Sequence, residues 1–268
     1  MWARGHGCPW SEDLADDSVV NCCAAAAAGG HLEVLKWARE NDCPWHRETV
    51  CAHAASSGHL EVLKWARAEG CPWDESLAAP EIDCCALAAA GGHLEVLQWL
   101  REHHCPWNEN TCHIAARTGQ LEVLRWAREH GCPWNDQTCY NAAEGGHLEV
   151  LRWARAHGCD WDHQTCARAV EAGHLEMLQW ARERNCPWSN MTCSRAAEWG
   201  HLEVLKWAHA HGCEWDTWTC AGAAEGGYLE VLQWAREHGC PWDYMTRRQA
   251  EDNGHLELLQ WAVTHGAP

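Results

Sequence analysis

The 27 residues from Cys132 to Gly158, Cys-Pro-Trp-Asn-Asp-Gln-Thr-Cys-Tyr-Asn-Ala-Ala-Glu-Gly-Gly-His-Leu-Glu-Val-Leu-Arg-Trp-Ala-Arg-Ala-His-Gly, decide the fold. Asn135 is a good N-cap, because its side chain can accept from the first unpaired backbone N–H groups of a helix. The helix it opens runs through Ala142 and Ala143 and stops at Gly145-Gly146, where glycine takes the left-handed terminal conformation cheaply. A second helix is predicted from His147 to His157, closed by Gly158. Its Leu148, Val150, Leu151, Trp153 and Ala154 form an apolar stripe, with Glu149, Arg152 and Arg155 on a charged face. Both helices are about ten residues long, short of the roughly 12 to 15 at which an isolated helix is even marginal. Packing on neighbouring units must hold them.

Working outward, Cys-Pro-Trp or a near variant begins at Cys8, Cys43, Cys71, Cys105, Cys132, Cys159, Cys186, Cys213 and Cys240, and every step from Cys105 onward is 27 residues. The cap position is filled by Ser11, His46, Asp74, Asn108, Asp162, Ser189, Asp216 and Asp243 in the other units. Earlier steps are longer because of insertions within Ser11 to Cys22 and Asp74 to Cys84, expected to project as fingers from one edge. Residues 1–7 match the end of a second helix and are read as a partial repeat, so 1–268 is read as a single repeat domain. The connections after Cys105 are too short for a β-hairpin, and no strand pairing is expected there. The column Trp37, Trp65, Trp99, Trp126, Trp153, Trp180, Trp207, Trp234 and Trp261 is the expected continuous core, since a buried Trp hides about 150–250 Å². In the last unit Arg247 and Glu251 replace the Cys139 and Ala143 types, the polar face that a terminal repeat needs.

Composition narrows the function. The chain has 38 acidic residues against 20 Lys and Arg, a formal charge of −18, which repels a phosphate backbone. No run is long and apolar enough for a membrane span, and the opening Met1-Trp2-Ala3-Arg4-Gly5-His6 has no signal-peptide character. The expectation is an intracellular, cytoplasmic protein, the nucleus remaining open, with its 19 Cys reduced.

Ala-Ala-x-x-Gly-His-Leu-Glu-Val-Leu, as in Ala142 to Leu151, recurs in nine units over nearly the whole chain. It resembles the ankyrin repeat, and in particular the short, Trp- and Cys-rich repeats of protists and large DNA viruses. The resemblance implies an all-α solenoid of stacked helix-turn-helix repeats that binds proteins, without catalysis or cofactor. The usual unit is about 33 residues, so the family's projecting β-hairpin is expected to be shortened or absent here.

The same repeat supplies the candidate sites. Cys132, Cys139 and His130 could contribute to a metal site, but Asn41, Glu69 and Arg184 replace the His and Arg247 replaces the second Cys. Neighbouring units about 10 Å apart also cannot share one zinc through equivalent thiols at about 2.3 Å. No metal ligands are assigned, and the cysteines are read as small buried hydrophobes. A thiol-rich metal-binding or redox protein is the alternative. His31, His59, His93, His174, His201 and His255, replaced by Gln120 and Tyr228 in their column, fit a loop-stapling hydrogen bond. Every prominent His, Cys and Glu is copied along the chain, whereas catalysis needs unlike groups at one place; an enzyme is not expected.

Variation between repeats marks the surface free to serve function. On the first helix it falls at Gln137, Tyr140, Asn141 and Glu144, opposite Cys139, Ala142 and Ala143, the side an ankyrin-like stack turns toward its concave groove. One column reads Asn110, Gln137, Gln164, Met191, Trp218, Met245, and beside it runs an acidic rail of Glu144, Glu171, Glu198, Glu225 and Asp252. The partner-binding candidates are Gln137, Tyr140, Arg168, Met191, Arg195, Glu198, Trp218, Glu225, Met245 and Asp252. Two conformations of Trp218 stay open: exposed in the groove, or folded back on Trp215 or a neighbouring unit. The expected partner is a protein or peptide, with no nucleic acid and no membrane.

Overall fold

A computed structural model describes residues 22–41, 47–71, 83–189 and 191–268. Those residues form eighteen α-helices and no strand, as the short connections after Cys105 require. The partial repeat at 1–7 and the inserted parts of both longer connections lie outside the described residues. The chain divides into two compact units, Met1–Trp134 and Asn135–Pro268.

The first unit contains α1 (Cys22–Ala28), α2 (Leu32–Glu40), α3 (Arg47–Ser56), α4 (Leu60–Ala68), α5 (Cys84–Ala90), α6 (Leu94–Glu102), α7 (Glu109–Arg117) and α8 (Leu121–Glu129). Its first helices stack α1 on α3, α3 on α5 and α5 on α7, and each packs on the second helix that follows it. The second unit contains α9 (Asp136–Glu144), α10 (Leu148–Ala156), α11 (His163–Glu171), α12 (Leu175–Glu183), α13 (Thr192–Glu198), α14 (Leu202–Ala210), α15 (Thr217–Glu225), α16 (Leu229–Glu237), α17 (Tyr244–Asp252) and α18 (Leu256–Thr264). Here α9, α11, α13, α15 and α17 stack in sequence, again each with its own second helix.

The caps follow the sequence closely. The backbone N–H of Gln137 donates to Asn135 Oδ1 at 2.9 Å, and those of Gln164, Trp218 and Met245 donate likewise to Asp162, Asp216 and Asp243. Each such cap is worth about 1 kcal/mol against alanine. Second helices end on a left-handed residue such as Gly158 (φ 82°); where glycine is missing, His104 (φ 61°) and Asn185 (φ 59°) adopt that conformation instead.

The core differs from the sequence expectation. Leu63, Leu97, Leu124, Leu151, Leu178, Leu205 and Leu232 are fully buried with neighbouring Val, Ala and Cys, while the tryptophan column is half-buried apart from Trp180. Side-chain direction explains the difference. At about 100° per residue, Trp153 sits about 100° from Ala154 and about 60° beyond Val150, on the edge of the stripe. These indoles build an outer aromatic layer: Trp188 meets Trp207 edge-on at 6.2 Å, Trp242 meets Trp261 at 6.1 Å, and His157 and His211 stack on Trp153 and Trp207 at 4.3 Å.

Candidate partner-binding face

The face under consideration belongs to the second unit and is built by α9, α11, α13, α15 and α17. The inward sides of α9, α11, α13 and α15 carry Thr, Cys and Ala or Val, closed against neighbouring helices: Thr138, Cys139, Ala142 and Ala143 are all inaccessible, whereas α17 exposes Arg247 and Glu251 at the Cys and second-Ala positions. The thiols contribute more than bulk. Cys159 Sγ donates to the Asn135 carbonyl at 3.1 Å, Cys186 Sγ to Asp162 at 3.4 Å and Cys240 Sγ to Asp216 at 3.5 Å, each reaching back one repeat. Cys139, Cys166 and Cys193 reach forward to the carbonyls of Cys159, Cys186 and Cys213 at 3.9, 3.9 and 3.7 Å. A hydrogen bond to the adjoining thiol, then burial, pushes the helix thiols Cys139, Cys166, Cys193 and Cys220 far above the ordinary thiol range. All the described cysteines except Cys22 are buried, and among the described residues no three His, Cys, Asp or Glu converge as a metal site.

The histidine staple takes the form its sequence tolerance indicates. His201 Nε2–H donates to the Glu171 carbonyl and His255 Nε2–H to the Glu225 carbonyl, both at 2.9 Å, tying a second-helix start to the first helix of the previous repeat. In the first unit His59 reaches Ala28 at 2.9 Å and His93 reaches Ser56 at 3.1 Å.

The outward side of the first helices falls into two parts. In the earlier repeats Gln137 is exposed and Tyr140 lies under the Arg168 guanidinium, 4.7 Å from the ring centroid. These three, with Asp136, Asp162 and Gln164, line a cleft of about 390 Å³. Arg168 also binds Glu171 at 2.7 Å, and Arg195 reaches back one repeat to the other Glu171 oxygen. Glu171, with its side chain 10% exposed, is therefore held between two guanidinium groups.

One repeat on, the corresponding partner is missing. The residue equivalent to Arg195 is Gly222, and a Cβ there would lie 2.8 Å from the Ser194 carbonyl and 3.3 Å from Glu198 Cβ. Burial first, then the like charge of Glu225 and more weakly of Glu171, raises the Glu198 carboxyl above its ordinary range against the pull of Arg195. The acidic rail is therefore uneven. Glu171 is neutralised, Glu198 and Glu225 face each other as like charges, and Asp252 pairs with Arg248 at 3.3 Å.

The apolar column is open. Met191 is 52% and Trp218 56% exposed, and Met245 is half-buried. Trp218 does not fold onto Trp215, whose ring instead lies 3.6 Å from His209 and edge-on to Trp234 at 5.8 Å. Two exposed aromatic residues join this region that sequence reasoning did not single out: Trp199 at the end of α13 and Tyr244 at the start of α17. Trp199 was readable, since it stands where other repeats carry a cap glycine such as Gly145 or Gly226.

A family model described as ankyrin repeats in many copies matches residues 84–128 and 139–182. These two stretches are ankyrin repeats. The described repeats outside those stretches have the same helix pair. Among solved structures, the human ASB11 ankyrin repeat domain is similar at 18% identity with a TM-score of 0.51, over 61% of this chain and 84% of that one; this likeness concerns the fold. No curated protein sequence matches the chain. Ankyrin repeats are generally protein-interaction modules and non-enzymatic scaffolds. Among the described residues no helix is long and apolar enough to cross a membrane.

Proposed function

We propose that the chain is an intracellular protein-interaction scaffold. Its partner is a protein or peptide segment lying on the outward face of the first helices in the second unit, the side an ankyrin stack makes concave. The observation that carries this reading is Trp218, a large aromatic side chain more than half exposed between Met191 and Met245. Equivalent positions in successive repeats are about one helix-packing distance of 10 Å apart, so the apolar strip runs roughly 20 Å. That length suits an extended segment of about six residues or a helix of about four turns.

The segment carries apolar anchors for Met191, Trp218 and Met245 and one or two Lys or Arg for Glu198 and Glu225. Gln137, Tyr140, Arg168, Arg195 and Asp252 border it. The acids mainly set association rate and salt dependence, while a desolvated Trp218 supplies most of the affinity. Affinity capture with mass spectrometry identifies the partner, and the purified pair then tests the site. Trp218→Ala should cost about 2 kcal/mol or more of binding at an unchanged melting temperature, whereas Gln137→Ala should cost little. Undiminished affinity in Trp218→Ala, or a loss accompanied by a lower melting temperature, overturns the assignment.

A further inference from the structure

Away from the first-helix face, one cleft among the second helices differs from its counterparts. It measures about 320 Å³ and is lined by Arg152, Arg155, Ala156, Trp161, Trp180 and Arg184. The corresponding cleft one repeat later, about 330 Å³, is lined by Gln179, Arg182, Glu183, Trp207 and His211. Arg155 and Arg182 are the constant part: each covers the Cys-x-Trp indole beside it, at 4.3 and 4.0 Å, and donates to a Cys carbonyl. The difference lies in Arg152 and Arg184. Where Arg184 stands, six other repeats have His103, His130, His157, His211, His238 and His265, each stacked on its own tryptophan.

Both variable arginines lie against one ring. Arg184 is 4.5 Å and Arg152 5.9 Å from Trp180, which also meets Trp161 edge-on at 5.7 Å. Trp180 is accordingly 9% exposed, the one buried member of its column among the described residues. A guanidinium stacked on an indole keeps its N–H edge available for planar, bidentate contact with an anion. Three such groups meet here in a chain of net charge −18. Their present carboxylate partners, Glu149 at 2.8 Å, Asp160 at 3.9 Å and Glu183 at 3.4 Å, are all more than 70% exposed, the kind of surface pair that contributes little and exchanges readily.

We propose that this cleft binds an aryl phosphate, the side chain of a phosphorylated tyrosine on a peptide. The phosphoryl oxygens take the edges of Arg152 and Arg184, and the ring lies along the indole walls of Trp161 and Trp180. A dianion with three strong acceptor oxygens matches several guanidinium groups better than a carboxylate does. The proposal is independent of the first-helix groove.

The test is calorimetric titration of the full chain with phenyl phosphate, beside Arg184→His and Arg152→Gln. Both substitutions install the residue that sister repeats carry, and a thermal melt checks that each variant folds. Saturable binding should appear, weakened at least about fivefold by either change and about tenfold or more for inorganic phosphate or phenol in place of phenyl phosphate. No saturable heat up to about 10 mM ligand overturns the proposal. So does unchanged affinity in both variants, or equal binding of inorganic phosphate, which would mean an adventitious ion only.

Discussion

The two helices of each ankyrin repeat carry opposite patterns of variation. The second helix keeps Leu-Glu-Val-Leu-x-Trp almost unaltered from Leu32 to Trp234, and its Val, Leu and Ala go into the core. The first helix keeps mainly its inward Thr, Cys and Ala; outward positions vary along the chain, one column passing from Gln137 and Gln164 to Met191, Trp218 and Met245. A repeat that must fit identical neighbours on both sides can vary only where neither touches it. In the second unit that freedom lies on the first-helix face and, on the other helix, at the rim positions of Arg152 and Arg184.

The largest effect should come from testing which column of the second helix holds the stack. Leu205→Ala removes a fully buried side chain and should cost about 2–5 kcal/mol. Trp207→Ala, in the same helix, removes a larger but only half-buried ring and should cost less. Urea unfolding of both variants decides the order; a greater loss for Trp207→Ala would return the core to the tryptophans.

Much of this architecture was legible because it repeats. The 27-residue step, the Asx and Ser caps, the terminal glycines and the tolerance of His201 for Tyr228 each follow from local chemistry, and the helices and staples formed accordingly. The tryptophan column, despite its ring size, lies outside the core because the helical angle sets Trp153 at the edge of the stripe that holds Val150, Leu151 and Ala154. Unlike partners also escaped notice. Arg195 leaves its own Glu198 for Glu171, 24 residues back, and Arg152 meets Trp180 across 28 residues; such pairings depend on how side chains turn between repeats, which a column of equivalent letters does not encode.

An intermediate effect should sharpen the contrast at a close approach of α13 and α15. Gly222 is inside a helix, where replacing glycine by alanine ordinarily gains about 1 kcal/mol. Here the new methyl would stand 2.8 Å from the Ser194 backbone carbonyl, and a carbonyl held in a neighbouring helix cannot swing aside as a flexible side chain would. Gly222→Ala should therefore destabilise the protein by about 1–2 kcal/mol. A raised melting temperature would show that the two helices separate freely.

The smallest effect concerns two equivalent acids on the outward face, which should respond to the same substitution with opposite sign. Glu198 has a raised folded-state pKa, from burial and then from Glu225, so the folded protein holds that proton more tightly than the unfolded chain does. Ionisation at neutral pH therefore costs stability, and the cost disappears as pH falls through the folded pKa toward and below the unfolded carboxylate value of about 4.3. Glu198→Gln should raise the melting temperature slightly at pH 7, with the gain shrinking to nothing as the solution is acidified. Glu171, one repeat earlier, is held by Arg168 and Arg195; Glu171→Gln removes the charge that satisfies both and should lower the melting temperature at pH 7. Melting curves of the two variants from pH 7 down to about 4 separate the cases. If both move in the same direction at neutral pH, Arg195 serves the two acids alike and the uneven charge of this face, on which the placing of the partner's cation rests, is lost.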